Sequence, residues 1–431
     1  MKNKTQVIVV GGGPAGISAA VTIARAGKNV VLIERGNFSG SKNVFGGAIY
    51  VQPTKEIFPN FEESAPLERK TVSHKYVMRT KTKTVSASYI DRVEEANSYS
   101  VIRSKFDRWM AMEAQKEGVV LVTETLVKEL IIKENKVVGV RTELEEYFAD
   151  IVILADGVNS LLAKQIGLRK EIKPKDVALG VKEVIKLGKE TIEERFNLQD
   201  GEGAIHEIFG DPMLGMLGLG YVYTNKETIS IGIGVSLDEL AKRKLKPYEL
   251  LEGLKTHPSF APFIKGGELV EYSAHLIPEG GYKKLPKLYA HGVLVVGDSA
   301  MLVNNVHWEG TNLAMISGKF AGETAIEALN KNDFGTNTLA LYQKKLEHSF
   351  IIKDLKSYKN IMDIVHERAG SFLDYYPEKI AEFFKMFTSV DSIPKRNKYH
   401  AFIKSIFTDR SVSELFKDAI AFIKMALGVL R

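Results

Sequence analysis

The string Val10-Gly11-Gly12-Gly13-Pro14-Ala15-Gly16 constrains this chain more than any other part of it. It follows a short apolar run, Gln6–Val10, and opens an alanine-rich stretch, Pro14–Ala26, that Gly27 closes. Asn29–Ile33 then reads as a second strand, ending at Glu34 and Arg35. Strand, glycine turn, helix and strand make a βαβ unit at the N-terminus. Gly11 permits the tight turn, Gly13 lets a pyrophosphate approach the backbone, and Gly16 lets the helix pack close to the strand. The helix N-terminus presents free N–H groups and partial positive charge to phosphates. Glu34 lies 18 residues after Gly16, where a carboxylate can accept hydrogen bonds from a ribose diol. This fingerprint alone does not separate FAD from NAD.

The rest of the chain separates them. A simple dehydrogenase would continue with further parallel strands. Here the pattern breaks, and a buried strand, Val293–Val296, resumes it far downstream. Between them, residues 50–100 show no clear periodicity. Ser104–Glu117 reads as a helix, strands are expected at 119–123, 126–133 and 136–143, and Ile151–Ala155 reads as a buried strand. Residues 175–290 carry scattered glycines and alternation, which point to an antiparallel sheet and a second domain. Thr311–Leu329 reads as a long helix, and the chain is almost wholly helical from about residue 338.

Three further groups carry candidate chemistry. Arg103 and Asp107 bracket a helix start, where an arginine can pair with a pyrophosphate; an i,i+4 ion pair on the surface is the plainer reading. Asp156-Gly157, with Ser160, ends a buried strand and is either a binding turn or an ordinary one. Gly297-Asp298 ends another, where an aspartate can hold ribityl hydroxyls. The chain then runs through His307, Trp308, Glu309, Gly310, Thr311 and Asn312 into a helix whose N-terminus would point at a flavin's N1–C2=O edge. A helix end stabilises negative charge there by about 0.3–1 kcal/mol, or up to about 2 when partly buried.

Composition excludes several classes. The 431 residues are 45% hydrophobic and 26% charged, ordinary globular values. The chain has no cysteine, which removes disulfides, thiolate metal sites and a self-ligated iron–sulfur cluster. Residues 331–431 hold 17 Lys+Arg against 12 Asp+Glu, so most of the +6 net charge sits in the last quarter. No basic cluster with aromatics suggests nucleic-acid binding. No run approaches about 18 apolar residues, and the N-terminus does not read as a signal peptide, so a cytoplasmic location is expected.

These residues together resemble the p-hydroxybenzoate hydroxylase and geranylgeranyl reductase superfamily of flavoproteins. Within it the sequence most resembles the FixC family, relatives of electron-transfer-flavoprotein–quinone oxidoreductase. The resemblance is carried by Gly40-Ser41-Lys42-Asn43-Val44-Phe45-Gly46-Gly47, by Val101–Asp107, by Asp156–Ser160, and by Gly297-Asp298 through Glu309-Gly310-Thr311-Asn312-Leu313-Ala314. It spans residues 7–320; the tail from 338 is alike only in being helical. It implies an α/β (α+β) fold. A Rossmann-type FAD-binding domain of the p-hydroxybenzoate hydroxylase type (1–170 and 291–335) is interrupted by an antiparallel-sheet substrate or quinone domain (171–290) and followed by a helical C-terminal region (336–431).

The resemblance also implies FAD as cofactor and a function in electron transfer. Electrons would come from an electron-transfer flavoprotein of alpha and beta subunits, which in such systems can be of the bifurcating kind, and leave to menaquinone or ubiquinone. A separate ferredoxin-like iron–sulfur subunit would supply the cluster that this cysteine-free chain cannot hold. Gly11, Gly13, Pro14, Ala15, Gly16, Glu34, Arg35, Lys42, Arg103, Asp156, Gly157, Gly297 and Asp298 are expected on the cofactor. Gly46, Gly47, Gly310, Thr311 and Asn312 are expected near its ring. Quinone reduction needs two protons, and His307 and Glu309 are the donors nearest in sequence; a structural loop histidine is the alternative. Met213–Tyr221 reads either as a tunnel for a prenyl tail or as a core strand. From Val412 the tail has apolar residues at 412, 415, 416, 419, 420, 423, 426, 427 and 430. This stripe is expected to pack on the chain's own core, with peripheral contact to the inner face of the cytoplasmic membrane, or a partner subunit, as the alternative. Competing functions are a geranylgeranyl (prenyl-lipid) reductase, an aromatic hydroxylase and a flavin-holding scaffold.

Overall fold

Val7–Val10 and Ile151–Leu154 are apolar at every position and buried at every position, so each can only be an inner strand covered on both faces. The computed structural model, which describes residues 4–42 and 47–430, places them side by side. Among the described residues, six strands form this sheet in the order 289–290, 293–295, 151–154, 7–10, 30–33, 120–122. All pairs are parallel except the short hairpin 289–290/293–295. The helix Pro14–Arg25 covers one face together with the helix Thr311–Lys331. Glycines let these helices touch: a Cβ on Gly318 would stand 2.0 Å from the Ala15 carbonyl oxygen, and one on Gly322 would stand 2.9 Å from that of Ala19. The strands at 127–133 and 136–142 leave this sheet and, with 146–148, form a three-stranded antiparallel layer.

Residues 48–101, which show no pattern in sequence, supply four strands to the second sheet: 48–50, 67–79, 84–90 and 98–101. They extend the strands 177–186, 202–210, 218–224, 228–236 and 268–278. The expected antiparallel arrangement holds at every pairing but one. Glu202–Gly210 runs parallel to Leu67–Arg79, because the two segments come from distant parts of the chain rather than from a hairpin. Arg69 ties this junction. Its buried guanidinium donates to the carbonyls of Asn225, Glu202 and Lys226 and pairs with Glu193. Val181, Ile231 and Val222 of this sheet pack on Leu250, Leu251 and Leu254 of the helix Pro247–Thr256, giving a second core.

The C-terminal region is helical throughout, including Tyr376–Thr388, Lys395–Asp409 and Val412–Leu430. The expectation that the last helix buries its apolar stripe in the chain's own core is corrected here. Its inward residues are Asp418 and Ala421, while Val412, Phe416, Ile423, Leu427 and Leu430 are exposed. A charge holds this helix in place. The Asp418 carboxylate accepts from Arg368 at 2.7 Å, Ser371 at 3.0 Å and Tyr376 at 3.0 Å, and lies 3.2 Å from Arg410. Small residues line the contact, with Gly428 set against Ile361. The large apolar side chains are therefore left facing outward.

Asp418→Ala should unseat this helix, since it strands two arginines around an empty site. We expect a loss of about 3 kcal/mol in the stability of the C-terminal helices, read as early protease cleavage beyond residue 360 at unchanged melting of the rest.

Candidate active site

The carboxyl ends of the parallel strands meet at one place, the usual position for a ligand in an open α/β sheet. Val7–Val10 leads into Gly11–Gly13, Val30–Ile33 into Glu34, Ile151–Leu154 into Asp156-Gly157, and Val293–Val295 into Gly297-Asp298. Together with the second sheet they enclose a cavity of about 900 Å³. Gly11, Gly13, Pro14, Ala15, Glu34, Arg35, Lys42, Gly47, Arg103, Asp156, Gly157, Asp298, Gly310 and Thr311 all line it.

The glycines divide their work. Gly11 has φ +107°, and a Cβ there would stand 2.1 Å from the Ala155 carbonyl oxygen. A Cβ on Gly16 would meet the Gly11 carbonyl oxygen at 1.9 Å. Both permit close packing. Gly13 has nothing within 4 Å of its Cβ position, so its missing side chain leaves open room instead. Beside that room, the helix Pro14–Arg25 begins with no side-chain cap on its N–H groups. Glu34 is fixed by two backbone donors, Gly12 N–H at 2.7 Å and Gly36 N–H at 2.6 Å, one on each oxygen. An elongated cavity, an uncapped helix start with space beside it, and a fixed carboxylate at the neighbouring strand end fit a dinucleotide such as FAD.

Arg103 combines both of its sequence readings. It forms a bidentate i,i+4 pair with Asp107 at 2.7 and 2.9 Å, but the pair is buried and Arg103 reaches Thr311 Oγ1 at 3.3 Å on the cavity wall. Burial raises the Asp298 carboxyl to about 6, against the pull of Arg103 and Arg169. Burial also raises Asp156, against hydrogen bonds from Ser299 and Ser160 at 2.9 and 3.0 Å. Gly297 does not line the cavity; with φ +57° its Cβ position lies 2.8 Å from the Ala15 Cβ, so it serves packing. Gly16 and Asn312 are likewise buried off the cavity. Gly46 lies outside the described residues, as do Asn43, Val44 and Phe45.

His307 and Glu309 are not brought to the cavity. His307 is exposed, its ring 4.9 Å from that of Tyr358. Glu309 bridges to Asn304 through the backbone, and its carboxyl, raised by burial, bonds to Asn312. The reach Met213–Tyr221 splits: Met213 and Met216 are core, while Leu217, Leu219 and Tyr221 line the cavity. Sequence reasoning missed Tyr50, Tyr223, His275 and Glu279, all on the cavity wall. Burial above all pushes the phenols of Tyr50 and Tyr223 far up, so both stay protonated donors. Only Glu279 had a local signal, the turn Pro278-Glu279-Gly280-Gly281 at a strand end.

Comparison with known proteins agrees with this geometry. Residues 6–165 match the family described as FAD dependent oxidoreductase, and residues 177–277 match ETF-QO, ubiquinone-binding. Residues 361–427 match the ETF-QO/FixC family C-terminal domain, so the tail resembles the family in more than being helical. Protein FixC of Bradyrhizobium diazoefficiens is 43% identical over 429 residues, covering 98% of this chain and 99% of that one. The chain belongs to the FixC family. Protein FixC of Azotobacter vinelandii is 42% identical, covering 98% of this chain and 99% of its own. Among solved structures, a geranylgeranyl bacteriochlorophyll reductase-like protein from Thermoplasma acidophilum shares the fold, with TM-score 0.74, 21% identity, and 96% and 98% of the two chains covered. A myxobacterial chondrochloren halogenase gives TM-score 0.67 at 16% identity, covering 99% of this chain and 97% of its own. This FixC-family chain is thus a FAD-dependent oxidoreductase with a quinone-binding domain of the ETF-QO type.

Two glycine variants separate binding from folding. Gly13→Val should leave the melting of the flavin-free protein within about 1 kcal/mol of wild type and abolish FAD retention. Gly11→Ala should lower the melting itself, because its methyl meets backbone. Absorbance of bound flavin and thermal melts of the flavin-free protein read the two effects.

Proposed function

We propose that this chain takes electrons from an electron-transfer flavoprotein of alpha and beta subunits and passes them to a quinone, acting beside a small ferredoxin-like iron–sulfur subunit. One observation carries the reading: the glycine cradle and the quinone-domain residues Phe209, Leu219, Tyr221 and Ile277 line a single cavity. A flavin cradled by the first set and a quinone ring against the second would share one water-poor space. Bound FAD supplies the redox chemistry. The chain's own residues bind and orient. Gly13 and the helix start at Pro14 would take the pyrophosphate, Glu34 a ribose, and Asp298 the ribityl hydroxyls. Gly47, Gly310 and Thr311 would flank the ring. Phe209 and Trp308, with centroids 5.3 Å apart, give the quinone side an aromatic wall.

The cysteine-free sequence requires that any thiolate-ligated cluster in the electron path sit on another chain. The acceptor is menaquinone or ubiquinone. Anaerobic purification of the native chain, with its companions identified and flavin and iron counted, tests this. Two electron-transfer-flavoprotein subunits and a small iron–sulfur protein are expected. Isolation alone, with FAD and no iron, would overturn the proposal and favour the prenyl-lipid reductase.

A quinone acceptor lives in lipid, and the C-terminal helices suit the inner face of the cytoplasmic membrane. No helix among the described residues is long and apolar enough to cross one. Instead, Phe384, Phe387, Phe407, Phe416, Phe422 and Leu430 are exposed on neighbouring helices, in the region that carries the excess of Lys and Arg. Apolar side chains at the acyl boundary with lysines at anionic headgroups is how a monotopic surface binds.

Phe416→Glu with Phe422→Glu should abolish co-sedimentation with vesicles of anionic lipid while keeping flavin content. Both side chains are about two-thirds exposed, so stability should change by less than about 0.5 kcal/mol each. Unchanged vesicle binding would remove these helices as the contact.

A further inference from the structure

We propose that Glu279 is the proton-transfer residue for the quinone in this site, reloaded from solvent through a second, smaller cavity that shares its wall. The inference rests on the quinone-reducing function proposed above and names the group that function lacks. Reducing a quinone takes two electrons and two protons, and neither His307 nor Glu309 reaches the cavity.

Glu279 lies just past the strand Glu268–Pro278 and lines the large cavity. It also lines a separate cavity of about 150 Å³. That volume holds several waters. Glu279 is therefore placed between the space for cofactor and quinone on one side and a polar pocket on the other. Its backbone is held on two sides: its N–H donates to the Asp176 carbonyl at 2.9 Å, and its carbonyl accepts from Asn305 Nδ2 at 3.0 Å. Asn305 also bonds the carboxyl and lines both cavities.

The smaller pocket is lined mainly by polar residues, with Leu355 and Met362 as its apolar part. The turn at 174–176 contributes Lys175 and Asp176, and the turn at 282–284 contributes Tyr282, Lys283 and Lys284. The C-terminal helical region closes it with Tyr358, Lys359 and Asp363. The Lys283 and Lys284 side chains keep 47% and 40% of their exposure, so the pocket borders bulk water. Two of these lysines are matched by acids, Lys284 with Asp176 at 3.3 Å and Lys283 with Asp363 at 2.6 Å. Glu279 keeps part of its surface exposed, yet the loss of water around its carboxyl is the larger influence and raises it to about 8, with the Asn305 hydrogen bond pulling the other way. The carboxyl holds a proton at neutral pH and has a wet side from which to regain it.

The electron donor supplies two electrons through the flavin chemistry of the family. As a quinone oxygen gains electron density, the Glu279 O–H bond breaks and the quinol O–H bond forms, leaving a carboxylate. Water in the smaller pocket, in exchange with solvent, returns a proton, and a second passage completes the quinol.

Infrared titration of the flavin-free chain from pH 5 to 10 tests the site without turnover. A protonated-carboxyl C=O band should vanish with a midpoint near 8 in wild type and be missing in Glu279→Gln. That variant is isosteric and neutral, so it should fold and keep FAD. In the loaded chain it should retain reduction of the flavin by the donor and lose about 10²–10³-fold in reduction of a short-chain ubiquinone. The wild-type rate should fall as pH rises through about 8, because the donor must be protonated. Asn305→Ala removes a bond that favours the carboxylate, so it should move that fall to higher pH. A wild-type minus Glu279→Gln difference band that titrates near pH 4–5, or no difference band at all, overturns the assignment. So does full quinone turnover by Glu279→Gln. Failure of the wild-type chain to reduce any quinone would sink the proposed function itself, and the acceptor named here with it.

Discussion

Everything at the site depends on how closely four backbone segments approach around Gly11 and Ala15. Gly11 sits against Ala155, Gly16 against Gly11, and Gly297 and Gly318 against Ala15. Each contact is one that a Cβ would break. Through them the ends of three parallel strands and the starts of two helices converge on one point. Two helix starts aimed into the same cavity place two regions of partial positive charge along it, at Pro14 and at Thr311. The first suits phosphates and the second suits the electron-rich edge of a reduced flavin. A chain that packed these segments even one methyl group further apart would lose the spacing between the two ends of the cofactor.

Outside that core, buried charges rather than apolar contacts fix the parts that come from distant sequence. Arg69 joins the two halves of the second sheet at its single parallel pairing, and Asp418 holds the last helix against the rest of the tail. A charge-anchored helix needs little apolar area underneath. That leaves its large side chains on the outside. The C-terminal region also closes the smaller pocket beside Glu279 through residues 355–363, on helices that precede those carrying the exposed Phe384, Phe407 and Phe416.

The cavity has a polar, glycine-lined end and an aromatic and aliphatic end, and Glu279 stands on its wall with a solvent-linked pocket behind it. The arrangement answers a general difficulty of quinone chemistry. Electrons need a dry path and protons need a wet one, and both must reach the same ring. A carboxyl held neutral by burial can join the two without admitting water to the flavin side.

The glycine turn after the first strand and the fold family were legible in the sequence. Gly11, Gly13, Gly16, Glu34 and Asp298 were legible because a local rule, strand–glycine turn–helix or strand–acid, sets both their type and their spacing. The helices at 103–116 and 311–331 were legible from periodicity for the same reason. What tertiary structure alone decided is what comes from pairing distant segments. Residues 50–100 carry no readable pattern, yet their strands pair with one another and join the second sheet through one distant partner, Glu202–Gly210 beside Leu67–Arg79. The tail's stripe reads as a core face, yet Asp418 turns it outward by drawing two arginines from other helices. His307 and Glu309 are near the flavin helix in sequence but turned from the cavity, whereas Glu279 arrives from the end of another strand. Periodicity records which face of an element is apolar. It does not record what that face meets, and the proton-bearing groups of this site are set by that meeting.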